Sequence, residues 1–352
     1  MNGNIRVGVN GYGVIGKRVA DAVRLQEDMT LVGVADVTTD WRTRVLQAKA
    51  VPLYAGTEEA LQAFEAAGIS TAGGLDALLR QVDVIVDCTP KKVAALNVPR
   101  YRALNLKFVL QGGEKHEITG HSFVAEANYE TAVGRDTTRV VSCNTTATVR
   151  TLSALKRAGL LRTARGTLLR RATDPWESHE GGIMNTLVPE REIPSHQGPD
   201  AKTVDPDLDV LTMAVKVPET IGHLHYWAVR MTRPASRDEV LDAFRTSSRI
   251  LLIADEQGLD ALNAVKELMS DRGRARGDLY EVALWADMLK VQDDELFYGY
   301  MVDNQAIVIP ETVDAVRAIG GNEASGGRSI ELTNKALGID GDLFGSSTNT
   351  RN

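Results

Sequence analysis

The sequence predicts an α/β protein in two parts, a doubly wound parallel sheet followed by an α+β region with a mixed or antiparallel sheet. Three observations carry this. Over the first hundred or so residues, short apolar β-rich runs alternate with helical patterns, the signature of βαβ units. Past about residue 165 the strand-like runs alternate polar with apolar positions, as half-exposed strands do. The length of 352 residues exceeds one ordinary core and suits two domains.

In chain order, residues 5–10, 30–35, 84–88 and 107–110 read as strands, with helical patterns clearest at 14–25 and 58–67. A strand at 139–142 runs straight into Cys143, and a helical pattern begins near Ala147. Residues 167–173, 209–217, 223–232, 281–285 and 295–301 read as the later strands, with helices at 237–245 and 259–269. Residues 310–319 and about 322–336 are helical again. The Gly/Ser/Thr/Asn-rich tail from 338 to 352 is expected to be partly mobile.

Hydrophobic residues make up 43% of the chain and aromatics only 5%, so the core must rest on Val, Leu, Ile and Ala. A net charge of -7 argues against nucleic-acid or anionic-membrane partners, although a few local arginines can still receive an anionic substrate. Cys88 and Cys143 are the only cysteines, too few for a disulfide framework or a zinc cluster, so no metal is expected and a reducing, cytoplasmic setting is. The amino-terminal residues lack a signal pattern, and no run approaches the ~18 apolar residues of a membrane span.

The first strand ends in Gly11-Tyr12-Gly13-Val14-Ile15-Gly16. This G-x-G-x-x-G pattern, set between a strand and a helix, lets backbone approach a pyrophosphate at a helix N-terminus. Asp36, at the end of the second strand, is placed to accept hydrogen bonds from ribose hydroxyls and to repel a 2′-phosphate, favouring NAD over NADP. A plain βα turn with a solvated Asp is the bland alternative, and the context favours the cofactor. Thr89-Pro90 and Gln111-Gly112-Gly113 follow later strands on the same expected binding edge.

Val140-Val141-Ser142-Cys143-Asn144-Thr145-Thr146 places a cysteine at a strand-to-helix junction among small hydrogen-bonding residues. Free amides and the positive helix end would lower its thiol pKa and stabilise an oxyanion. Cys88, in an apolar strand, suits a structural role. A thiolate needs a histidine. His223 and His225, two apart on a strand, share one face, and the residues alone do not choose between this pair and His196. Arg170 and Arg171 should point to opposite faces of their strand, one toward a phosphate or cofactor and the other to a salt bridge.

Residues 10–22, Leu110-Gln111-Gly112-Gly113-Glu114-Lys115 and Ser142-Cys143-Asn144-Thr145-Thr146 resemble the archaeal-type (class II) glyceraldehyde-3-phosphate dehydrogenases. So do Arg170-Arg171-Ala172, Pro194-Ser195-His196, His223-Leu224-His225 and Ile307-Val308-Ile309-Pro310-Glu311. The resemblance implies a Rossmann-type NAD-binding domain over 1–142, joined by C-terminal helices at about 310–337, and a catalytic domain over 143–309. It implies Cys143 as nucleophile and His223 as general base. Substrate contacts would come from Ser142, Asn144, Thr145, Gln197 and Gly198. Cofactor contacts would come from Gly11, Gly13, Val14, Ile15, Gly16, Asp36, Thr89, Gly113, Arg171 and Asn304.

The implied reaction takes glyceraldehyde 3-phosphate and inorganic phosphate. The thiolate forms a hemithioacetal, hydride goes to NAD, and phosphate releases 1,3-bisphosphoglycerate, in a homotetramer. Three positions depart from the pattern. Asp36 stands where many archaeal members carry a Lys suited to NADP, Gln197 replaces a second His, and Asp303-Asn304 replaces His-Gln. These departures keep two alternatives open, a related dehydrogenase of another phosphorylated aldehyde or semialdehyde and an inactive NAD-binding regulatory protein.

Overall fold

The computed structural model describes residues 3–111, 113–175, 183, 185–341 and 343. The chain forms two compact units, one of Met1–Ser142 with Val308–Leu337, the other of Cys143–Ile307 with Gly338–Asn352.

The first unit is built on seven strands, β1 (Ile5–Asn10), β2 (Met29–Asp36), β3 (Leu53–Ala55), β4 (Val84–Asp87), β5 (Lys107–Leu110), β6 (Ser122–Phe123) and β7 (Thr137–Val140). They lie in the order β3-β2-β1-β4-β5-β7-β6, and every pairing is parallel. Parallel strands need crossovers, so helices cover the sheet and the strands can be apolar on both faces. Val7, Val9, Val84, Ile85, Val86, Val109 and Leu110 are accordingly buried. The order reverses between β1 and β4, the switch point at whose carboxyl edge doubly wound sheets take ligands.

The helix Val308–Gly320 is buried along almost its whole length in this unit, its polar residues Glu311, Thr312, Asp314 and Arg317 included. Its one cation, Arg317, is fully buried and needs partners. It has them in Asp28, Gln26, Ser329 and Thr333. The expected helix at 310–319 therefore starts two residues earlier, with Pro310 in the first turn where its missing N–H costs nothing.

The second unit carries an eight-stranded mixed sheet of β8 (Leu161–Arg171), β9 (Val188–Pro189), β10 (Val210–Val217), β11 (Gly222–Met231), β12 (Ile250–Ile253), β13 (Val282–Trp285), β14 (Lys290–Gln292) and β15 (Glu295–Asp303). The order is β12-β13-β15-β11-β8-β10-β9, with β14 on β15. The pairs β8–β10 and β12–β13 are parallel, while β11 runs antiparallel to both β8 and β15. Strand β11 alternates with a period of two. Its buried face holds His223, His225 and Trp227. The first residues of the expected tail dock on this unit, since Arg274 donates to Gly338 O and Leu343 is buried among Leu251, Val265 and Met269. From 344 onward the tail lies outside the described residues. Among the described residues no helix is long and apolar enough to cross a membrane.

Candidate active site

In the first unit, the Gly-rich turn joins β1 to the helix Val14–Arg24. Gly11 has φ +95°, and a Cβ there would stand 3.0 Å from the Cys88–Thr89 backbone, so a side chain is disfavoured twice. A Cβ on Gly16 would stand 1.8 Å from Gly11 O, which explains how the helix closes on the strand. A Cβ on Gly13 would meet nothing, leaving open space beside the first turn. No side chain caps that helix, its first turn holds no acid, and Val14 and Ile15 are only half-buried. Uncapped amides beside open space fit a pyrophosphate.

Asp36 ends β2 and binds the same turn. Its Oδ2 accepts Tyr12 N–H at 2.5 Å, and its Oδ1 accepts Val37 N–H, Thr38 N–H and the Thr38 hydroxyl at 2.7–2.8 Å. A carboxylate offers about four acceptor directions, so one on Oδ2 is still available to a ribose hydroxyl. Thr89 N–H and its hydroxyl both donate to buried Asp87, which also receives Tyr101 and Asn97. Gly113 has φ +75°, and Gln111 is tied to Thr312, while Gly112 lies outside the described residues.

In the second unit, Cys143 opens the helix Cys143–Arg157. The helix begins four residues before the expected start at Ala147. Thr145, Thr146 and Thr148 are β-branched and poor helix formers, but all are buried, and packing overrides propensity. The thiol sits at the helix N-terminus, the positive end of the dipole, and Lys156 and Arg157 complement the far end.

Cys143 Sγ lies 3.2 Å from His223 Nε2. The other ring nitrogen, Nδ1, accepts the backbone N–H of Arg171 at 3.0 Å. An amide N–H can only donate, so Nδ1 carries no proton and the neutral ring keeps its hydrogen on Nε2, aimed at sulfur. An imidazolium would set a second N–H against that of Arg171. Burial, then the neighbouring His225, then Arg171 and Arg170 hold the His223 pKa well below the ordinary histidine range. Burial pushes the Cys143 thiol up, against the lowering by Arg171, the Asn144 backbone and Arg170. The thiol of Cys88 is pushed far up, by burial and then by Asp87.

His225 does not face the sulfur. Its Nε2 is 2.8 Å from Asn144 Oδ1 and its Nδ1 is 3.0 Å from the Tyr300 hydroxyl, which also receives the Trp227 indole N–H at 3.0 Å. His196 is exposed and bonds Glu190, whose other oxygen pairs with Arg170 at 2.8 Å. Arg171 pairs with Asp174 at 3.4 Å. The Nε of each arginine is buried without a partner.

The other expected substrate contacts differ in what they still offer. Thr145 donates its hydroxyl to Asp200, and Gly198 N–H is taken by Thr212 Oγ1 at 2.9 Å, so that amide is not available to a ligand. Ser142 closes the first unit. Gln197 is fully buried, and neither atom of its amide has a partner. Asn304 donates to Asp174 at 3.0 Å, while its Oδ1 is buried and unpartnered. Asp303, which precedes it, is a structural anchor, paired with Lys266 and accepting Gln305 N–H and Ala306 N–H. Among the described residues no group of acidic, His or Cys side chains is arranged to hold a metal.

Sequence reading did not single out Asp174, Glu190, Asp200, Thr212, Trp227 or Tyr300. Trp227 alone carried a signal, its even spacing from His223 and His225 on one strand face.

Residues 142–272 match the model of the glyceraldehyde 3-phosphate dehydrogenase C-terminal domain. The chain is 42% identical over 334 residues to glyceraldehyde-3-phosphate dehydrogenase 2 of Methanosarcina barkeri, covering 95% of this chain and 98% of that one. Glyceraldehyde-3-phosphate dehydrogenases of Thermococcus kodakarensis and Pyrococcus abyssi are 43% and 44% identical over 335 residues, each across 95% of this chain and 99% of theirs. The chain therefore belongs to the glyceraldehyde-3-phosphate dehydrogenase family.

Proposed function

We propose that the chain is an NAD-dependent, phosphorylating dehydrogenase of glyceraldehyde 3-phosphate. The observation that carries this reading is the 3.2 Å approach of Cys143 Sγ to His223 Nε2 at the start of a helix, in a chain of this family. The Cys143 thiolate adds to the aldehyde carbon and forms a hemithioacetal. First-turn amides and the His223 Nε2–H stabilise its oxyanion. At rest His223 donates, and it acts as general base only when the Arg171 N–H leaves Nδ1. A bound pyridine nucleotide supplies the two-electron acceptor that takes the hemithioacetal to a thioester. Inorganic phosphate then displaces the Cys143 thiolate and leaves as 1,3-bisphosphoglycerate.

Gly11, Gly13, Val14, Ile15, Gly16, Thr89 and Gly113 are the proposed nucleotide contacts of the first unit, with Asp36 selecting NAD. In the second unit Arg171 and Asn304 are proposed contacts, the latter through its unpartnered Oδ1. Asp36→Lys should raise kcat/KM with NADP at least about tenfold by removing the repulsion of a 2′-phosphate. It also strips the turn of its acceptor, so Asp36→Asn, which keeps an oxygen for Tyr12 N–H, is the cleaner variant. An unchanged NAD/NADP ratio in both would count against Asp36 as the selector.

Ser142, Asn144, Thr145, Gln197 and Gly198 are the proposed substrate side of the site, Gly198 now through its shape rather than its amide. The partnerless Gln197 favours a second reading, because a neutral amide brings no charge to a phosphate. The substrate is then a semialdehyde without a phosphate, while a four-carbon phosphorylated aldehyde would have to seat its phosphate elsewhere in the site. Relative kcat/KM on glyceraldehyde 3-phosphate, erythrose 4-phosphate and aspartate semialdehyde decides between them.

The homotetramer is supported by the outer face of the mixed sheet, where Met213, Tyr226, Met288 and Phe297 are 39–45% exposed side by side around one groove. Tyr226→Glu should shift the protein to a smaller species in light scattering, since an unpaired carboxylate is costly to bury in an interface. An unchanged mass would remove this face from the assembly.

A further inference from the structure

We infer that His225 is a positioning residue of the thiol site, held by Tyr300 in one tautomer so that it turns the NH2 group of the Asn144 carboxamide, and not its carbonyl, toward the Cys143 sulfur. The inference rests on the reading of Cys143 as the nucleophile.

Hydrogen-bond direction carries the argument. The Trp227 indole N–H can only donate, so the Tyr300 oxygen accepts it at 3.0 Å. The Tyr300 hydroxyl keeps its own proton to give, and His225 Nδ1 lies 3.0 Å away to take it. With Nδ1 accepting, the ring hydrogen is on Nε2, which stands 2.8 Å from Asn144 Oδ1. The carboxamide must meet that N–H with its oxygen. Its NH2 group is then on the other side, 3.9 Å from Cys143 Sγ. The chain of donors thus runs one way, from Trp227 through Tyr300, His225 and Asn144 to sulfur.

The reverse assembly is worse at both ends. Placing the His225 hydrogen on Nδ1 would make Tyr300 accept a second N–H and turn its own proton toward Thr148 or Thr151, away from the nitrogen 3.0 Å from it. It would also flip Asn144, so that a carbonyl lone pair faced the sulfur and opposed a thiolate. All four side chains are buried, so the order is not blurred by bulk solvent. Burial, then Arg170, lowers the His225 pKa to about 3, which leaves the ring neutral across any working pH. The distance of 3.9 Å is long for a neutral thiol, and charge on sulfur would tighten it. His225 therefore acts through Asn144, while His223 reaches the sulfur directly.

The test reads thiol ionisation, not dehydrogenase activity. The rate of Cys143 alkylation by iodoacetamide is followed against pH, with the modified cysteine identified by peptide mass. His225→Leu should move the thiol ionisation up by about one pH unit and slow alkylation near neutrality about tenfold. His225→Gln, which keeps an N–H at the Nε2 position, should recover most of that loss. Asn144→Ala should show the same loss, and adding His225→Leu to it should change nothing more. Tyr300→Phe, which spares the packing and frees the tautomer, should shift the profile part of the way, and it serves if His225→Leu does not fold.

An unmoved profile in His225→Leu or Tyr300→Phe would overturn the inference. So would a His225→Leu effect that persists undiminished in Asn144→Ala, or a Gln variant as slow as the Leu one. A Cys143 no more reactive than Cys88 in the unmutated protein would instead overturn the nucleophile reading. The two failures are therefore distinct.

Discussion

Cys143→Ser is expected to abolish turnover, by at least about a thousandfold, while pyridine-nucleotide binding survives. The thiolate is the reactive form of cysteine, and a serine hydroxyl in its place ionises far less readily. The site offers that hydroxyl little help, because the His223 Nε2 that faces it already bears a hydrogen while Nδ1 holds the Arg171 N–H. The glycine turn and Asp36 belong to the other unit and keep their bonds. Initial rates with glyceraldehyde 3-phosphate, beside calorimetric titration with NAD, check both halves. Substantial residual turnover would remove Cys143 from the nucleophile role.

His223→Ala should cost about 10²- to 10⁴-fold in kcat/KM, and His225→Ala far less. Equal or reversed losses would reassign the pair. Because the resting ring donates, His223→Gln should be faster than His223→Ala, its amide N–H standing near the Nε2 position. The pH dependence separates donor from base. The thiol is pushed up by burial, so the thiolate fraction grows as pH rises, and the rate should climb about tenfold per unit until the thiol is ionised. His223 is held well below its ordinary range, so its charged form is gone before neutrality and contributes no limb between pH 6 and 8. A limb there that disappears in the Gln variant would show that His223 titrates as a base at rest, against the tautomer derived from Arg171.

Much of the fold was legible because it is local. β1 and the helix Arg237–Arg245 fall on the expected residues, each being a short run whose period needs no distant partner. The helix Val93–Ala103 was hidden by Pro99 inside it and by the lack of an apolar stripe. β12 was hidden because four apolar residues, Ile250–Ile253, have no period of their own. The strands β3, β6 and β9, of two or three residues, exist only through their neighbours.

The site divides along the same line. Gly11-x-Gly13-x-x-Gly16 and Cys143 stand out as candidates from adjacent residues alone. The choice of His223 over His225 and His196 depends on a contact across 80 residues. The backbone amide of Arg171, which sets the tautomer, has no sequence signature at all. Gln197 was legible as a departure, but its unpartnered amide required the structure.

The most direct test is to mix the enzyme with glyceraldehyde 3-phosphate and NAD, first without phosphate, and count NADH against active sites. A thioester on Cys143 that only phosphate releases predicts a burst of about one NADH per chain that then stalls, and steady turnover when phosphate is added. Steady turnover without phosphate, or no burst in a folded protein that binds NAD, would contradict the account.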